Sequence, residues 1–179
     1  MVPELLVNSS PENFHNGHDF DVVSDEPRAN EWAFTMVEPT KLDEVWDLVR
    51  EDLAHVIRKT GYGYRTERVY MAILQGSCSL FMGFMNRGHV ATVVLAGATN
   101  PLTGQNELTI VSAEKDDQDL KARVIEPMEV RQRCLDSIEE IARGMNVRRI
   151  GFHSTRRGWL RQAPKLGFRL REYTFVKDI

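Results

Sequence analysis

The 179-residue sequence predicts a single mixed α/β domain carrying an extended N-terminal arm. Three observations support this: two helix-period stripes ahead of a run of β-type segments, a strand–helix–strand–helix–strand alternation after it, and an acidic, aperiodic first thirty residues. Residues 31–179 read as β-α-α-β-β-β-α-β-α-β. The alternation in the second half implies parallel pairing there, behind an antiparallel meander.

Glu31–Val37 (EWAFTMV) is the first predicted strand, ended by Pro39, with Thr40 expected to cap the helix that follows. In that helix Leu42, Val45, Trp46, Val49, Leu53, Val56 and Ile57 recur at three- and four-residue steps, a single apolar stripe. Gly61-Tyr62-Gly63-Tyr64 breaks it, and Thr66 opens a second helix stopped by Gly76. Cys78–Met85 and His89–Ala96 are β-type runs joined by Asn86-Arg87-Gly88, and Glu107–Ala113 is a fourth strand. Pro127 suits the first position of the third helix. Val147–His153 is the fifth strand, Trp159–Leu166 a short helix, and Phe168–Val176 the last strand.

Residues 1–30 hold six acids (Glu4, Glu12, Asp19, Asp21, Asp25, Glu26) and one base, Arg28. Against a whole-chain charge of −3, the remainder is therefore +2. Such a segment cannot bury enough apolar surface to fold alone, so it is expected to be disordered or an extended arm used in assembly. Arginines and Lys165 crowd the last thirty residues (among them Arg156, Arg157, Arg161, Arg169 and Arg171), a natural counter-surface for that arm. No motif supports nucleic-acid recognition. No apolar run is long enough for a membrane span, and no secretion signal opens the sequence, so a cytoplasmic protein is expected. Cys78 and Cys134 lie far apart, without zinc spacing, and no metal site is expected. His15, His18 and Asp19 read as exposed polar residues of the arm.

The element order, together with VRRIGFHS followed by GWLRQAPKLGFRLREYTFV, resembles the GNAT superfamily of acyl-CoA-dependent N-acyltransferases. In Lys165-Leu166-Gly167-Phe168, glycine serves as a left-handed helix cap before the chain turns into the core. The resemblance implies that the fourth and fifth strands splay around the pantetheine of acetyl-CoA, with its diphosphate on backbone amides before the third helix. Family members carry a glycine-rich loop there. This chain has no glycine between Gly104 and Gly144, and its helix opens with Glu126, Pro127 and Glu129. Arg123, Arg131 and Arg133 are the residues left to contact phosphate. At the position of the family's tyrosine acid stands Ala163, which cannot protonate a thiolate; Tyr173 lies on the next segment. For the base that activates the amine, the candidates are Glu107 and His153, with Glu114 behind them.

The expectation is a GNAT-fold protein without acyl transfer, needing no cofactor and serving a structural or binding role through protein partners or self-association. A compact domain, charged arm and worn cofactor loop are similar to GNAT-like virion proteins of tailed bacteriophages, which would place the chain in a virion. The alternative is a divergent acetyl-CoA-dependent N-acyltransferase.

Overall fold

The computed structural model describes residues 31–60, 65–86, 88–100, 103–114, 120, 125–154 and 156–171. The Gly61–Tyr64 link, Arg123, Tyr173 and the whole arm, with His15, His18 and Asp19, lie outside the described residues. In chain order the elements are β1 (Trp32–Val37), α1 (Leu42–Thr60), α2 (Thr66–Leu74), β2 (Ser79–Met85), β3 (Gly88–Thr99), β4 (Asn106–Glu114), α3 (Pro127–Gly144), β5 (Arg149–Phe152) and α4 (Trp159–Gln162). The five strands form one sheet in sequence order. Pairing is antiparallel from β1 to β4 and parallel between β4 and β5, as the alternation predicts.

Two apolar layers sandwich the sheet. On one face Leu42, Val49 and Leu53 of α1 and Ile73 of α2 pack on Leu80, Met82 and Val94. On the other, Val130, Cys134, Ile138 and Ala142 of α3 pack on Phe81, Val93, Leu95 and Leu108. The sorting follows from period-two alternation on the strands meeting period-3.6 stripes on the helices. Trp32, Phe34 and Phe81 stack in a ladder on the α3 side, with centroid separations of 6.1 and 5.3 Å. Trp32 Nε1 also donates to Ser137 Oγ of α3 at 3.0 Å.

The ladder needs Gly83. A Cβ there would lie 2.7 Å from the Trp32 ring and 3.1 Å from Ala91 Cβ. Gly83→Ala is therefore expected to cost about 1–3 kcal/mol by overpacking. Urea titration followed by tryptophan emission would test this; an unchanged midpoint would show that the indole moves aside freely.

Two local expectations are corrected. Thr40 caps nothing: a 3-10 turn over Pro39–Lys41 precedes α1, and its N-cap is Glu38. The fixed φ of Pro39 already suits a first helical position, so the chain turns one residue before Thr40. The last strand, expected over Phe168–Val176, is not formed through Arg171, and 172–179 lie outside the described residues. Its first residue is used differently. Gly167 adopts φ +79°, Phe168 N–H donates to the Ala163 carbonyl at 3.0 Å, and the Phe168 ring meets Phe152 edge-on at 5.1 Å. The left-handed glycine thus seats the phenylalanine against β5 instead of starting a ladder.

Candidate functional site

The chemistry-bearing end of the sheet is where β4 and β5 deliver their carboxyl termini, the usual ligand end of an open α/β sheet. Their parallel ladder is short: Glu107↔Arg149, Leu108↔Ile150, Thr109↔Gly151 and Ile110↔Phe152. β4 then continues to Glu114 while β5 has ended. A bulge falls at this point. Val94 pairs with Ser112 and Leu95 with Ile110, so Val111 has no partner on β3. An extra residue bends a strand and increases its twist, which turns β4 away just where its ladder with β5 stops. Beyond Ile110 and Phe152 the two strands are no longer paired, an opening in the ladder.

His153 follows the last residue of β5 and is exposed at this opening. Glu107 is at the other end of the paired stretch, where its carboxylate accepts a hydrogen bond from Arg149 Nη1 and forms an ion pair with it. The structure therefore brings His153 to the opening and holds Glu107 away from it. The backbone of Glu114 stands opposite Thr92 at the end of β4; its side chain lies outside the described residues.

The start of α3 lies across the sheet on the other face. Glu126 is its N-cap, and the Glu126 carboxylate accepts a long 3.5 Å hydrogen bond from Met128 N–H. Pro127 occupies the first turn, buried and without a donor, and Glu129 adds a second carboxylate there. Glu129 is paired with Arg133, at 3.0 Å from Nε and 2.9 Å from Nη2. Arg131 is half-buried, with Nη1 3.6 Å from Met128 Sδ. One face of the turn thus already uses its amide and its arginine internally. At a surface-like effective dielectric, two like unit charges 4 Å apart repel by about 4 kcal/mol. Among the described residues, this helix start presents an anion with two carboxylates and, at Pro127, no amide donor.

Helix α4 is one turn long and tightens into a 3-10 turn over Ala163–Leu166, with Pro164 near its start. The ring locks Pro164 and removes a donor, so the α-helical ladder cannot continue through it. Ala163 is half-buried and offers no proton. Trp159 packs edge-on against Phe152 at 4.9 Å, so this turn is held to β5 by aromatic contact.

A polar cluster not anticipated from sequence lies under α1 at the same end of the sheet. A second bulge, at Val90, lets His89 and Thr92 share the α1 face: Gly83 pairs with Ala91 and Phe84 with His89. Thr92, 1% exposed, donates through Oγ1 to Asp52 Oδ2 at 2.8 Å. His89 Nε2 lies 2.9 Å from the Ala91 carbonyl and 3.1 Å from Thr92 Oγ1. A carbonyl can only accept, so Nε2 carries the proton. His89 Nδ1 then faces Asp52 Oδ2 at 3.9 Å. Nearby on β4, Ser112 Oγ is buried and has no hydrogen-bond partner among the described residues, as is His55 Nε2 of α1. The legible signal was Asp52 itself, an acid three residues after Val49 and one before Leu53, inside the apolar stripe.

Neither thiol joins a site. Cys78 and Cys134 are unpaired, and burial pushes the Cys134 thiol up to about 12 and raises that of Cys78. Buried thiols held neutral are poor nucleophiles. Among the described residues no group of three His, Cys, Asp or Glu side chains is placed to hold a metal ion. Nor is any described helix long and apolar enough to cross a membrane.

No family model matches the sequence, and no curated protein matches it. Solved structures do. A ribosomal-protein-alanine N-acetyltransferase from Brucella melitensis biovar Abortus 2308 superposes with a TM-score of 0.60 at 10% identity, covering 83% of this chain and 99% of that one. A GNAT family acetyltransferase from Staphylococcus aureus gives 0.55 at 11% identity, over 83% and 98% of the two chains. The chain has the GNAT fold. An aminoglycoside acetyltransferase from an uncultured soil metagenomic sample, solved with sisomicin, shares this fold at a TM-score of 0.59 and 9% identity, over 83% and 96% of the chains. At these identities a shared GNAT fold speaks for architecture and leaves the chemistry to the residues at the site.

Proposed function

We propose that this GNAT-fold protein has lost coenzyme-dependent acyl transfer and serves a binding or structural role. One observation carries the reading: the start of α3 carries its own Glu126 carboxylate on the Met128 amide, with Glu129 in the same turn and Pro127 in place of a donor. Helix N-termini hold phosphates through free amides and a favourable dipole; here the dipole is already complemented by acids. Ala163 at the family's acid position points the same way. The likeness to phage virion proteins extends this reading to a component of a particle, and it rests on the arm and the worn loop alone.

Thermal unfolding with added CoA and acetyl-CoA tests it. A ligand at 100 times its dissociation constant adds about 2.7 kcal/mol to folded stability. The expected result is no shift at millimolar ligand and no thiol release with a panel of amines. A saturable shift, or steady thiol release, would overturn the proposal.

A divergent N-acyltransferase is the second reading, favoured by the Val111 bulge and by the parting of β4 from β5 beyond Ile110. In that case His153, exposed at the opening, is the group placed to accept the proton of an amine. Glu107 is occupied by Arg149.

A further inference from the structure

The last described stretch of the chain has an unusual charge distribution. Between Glu140 and Glu172 the sequence contains no acid, while basic residues recur throughout. Arg157, Arg161, Lys165, Arg169 and Arg171 are all exposed, and none forms an ion pair with a carboxylate among the described residues. Their like charges are gathered on the turn and tail that follow β5. Concentrated positive charge of this kind raises the local concentration of an anionic partner.

Strand directions show where such a partner begins. β1 is antiparallel to β2, β2 to β3 and β3 to β4, and Trp32 stands opposite Met85, which stands opposite Gly88. The first residue of β1 is therefore at the same end of the sheet as the carboxyl ends of β4 and β5. From β1 to β5 are four strand spacings, about 19 Å in all. Asp19, Asp21, Asp25 and Glu26 precede Trp32 by six to thirteen residues. At about 3.3 Å per residue, that length of chain reaches roughly 20–43 Å. Asp19 and Asp21 can span the top of the sheet with slack, and Asp25 and Glu26 just reach its β5 edge.

We infer that the arm's Asp19–Glu26 segment docks in cis on the basic surface of residues 157–171. Charge complementarity selects the surface. The tether selects the copy, because a link of a few residues presents the segment at an effective concentration of order millimolar, well above a second chain in dilute solution. Single exposed ion pairs are weak, so the contact is a many-charge association that salt screens: the Debye length falls from about 30 Å at 0.01 M to about 3 Å at 1 M. The inference needs no catalysis and stands or falls separately from the function proposed above.

Zero-length carbodiimide coupling on the full-length chain tests it, because Lys165 is the one amine side chain of the surface. The expected product joins Lys165 to an acid within residues 19–26 in chains that run at monomer mass. Its yield should fall several-fold in 1 M salt. It should also fall several-fold in Arg157→Gln/Arg161→Gln/Arg169→Gln/Arg171→Gln, which keeps Lys165 in place. Products only at dimer mass, with isotopically mixed chains, would assign the arm to a second copy and overturn the cis contact. Absence of the product, or a yield indifferent to salt and to the quadruple variant, would overturn it as well. So would tight binding of a single-stranded oligonucleotide by the wild-type chain at low salt, which would make nucleic acid the occupant of the surface.

Discussion

Leu53→Ala is expected to destabilise the fold by about 2–5 kcal/mol, and Ile138→Ala by a similar amount. Both side chains are fully enclosed, at 1% and 2% exposure. Leu53 fills the layer between α1 and the sheet, Ile138 the layer between α3 and the opposite face. Because the two share no packing partner across the sheet, their costs should add to within about 0.5 kcal/mol. Small domains have only about 5–15 kcal/mol to lose, so the double variant should be largely unfolded at room temperature. Urea midpoints of the two single variants, with m-values unchanged, would check each cost. Strong non-additivity would mean that the two layers communicate through the sheet.

Asp52→Ala is expected to cost about 1–3 kcal/mol, a large loss for a residue on the flank of a helix. The carboxylate is the acceptor of the Thr92 hydroxyl, and Thr92 has no water to turn to at 1% exposure. It also faces His89 Nδ1, so its removal takes away a negative charge beside that ring. Asp52→Asn separates the two contributions: the amide oxygen can still accept from Thr92, but the charge is gone. Asparagine matching wild type in urea would assign the effect to the hydrogen bond. Asparagine matching alanine would assign it to the charge opposite His89.

Much of the fold was legible because its determinants are local and periodic. The α1 stripe from Leu42 to Ile57 reads as a helix on a core, and the short β-type runs of β2 and β3, joined by Asn86-Arg87-Gly88, read as strands of a meander. Pro127 and Gly167 marked a helix start and stop by backbone chemistry that needs no tertiary context. The acidic helix start was legible for the same reason, since Glu126, Pro127 and Glu129 are neighbours in sequence. Thr40 misled because two capping signals competed, and the proline one residue earlier prevailed. The start of the last strand misled through Phe168, whose apolar character fits a strand but which Gly167 turns onto Phe152; residues 172–176 of that expectation lie outside the described residues.

The sequence by itself determined the α/β class, the order of the described elements, the acidity of the first thirty residues and the acids and proline at the start of α3, all of which depend on residues within a few positions of one another. Only the tertiary structure decided that Glu107 is bound to Arg149, that His153 stands at the opening, and that Asp52, Thr92 and His89 meet beneath α1. Each of these depends on strand register, and two on a bulge of one residue. A single unpaired residue reverses which face the next side chain takes, and no local pattern records where that residue falls.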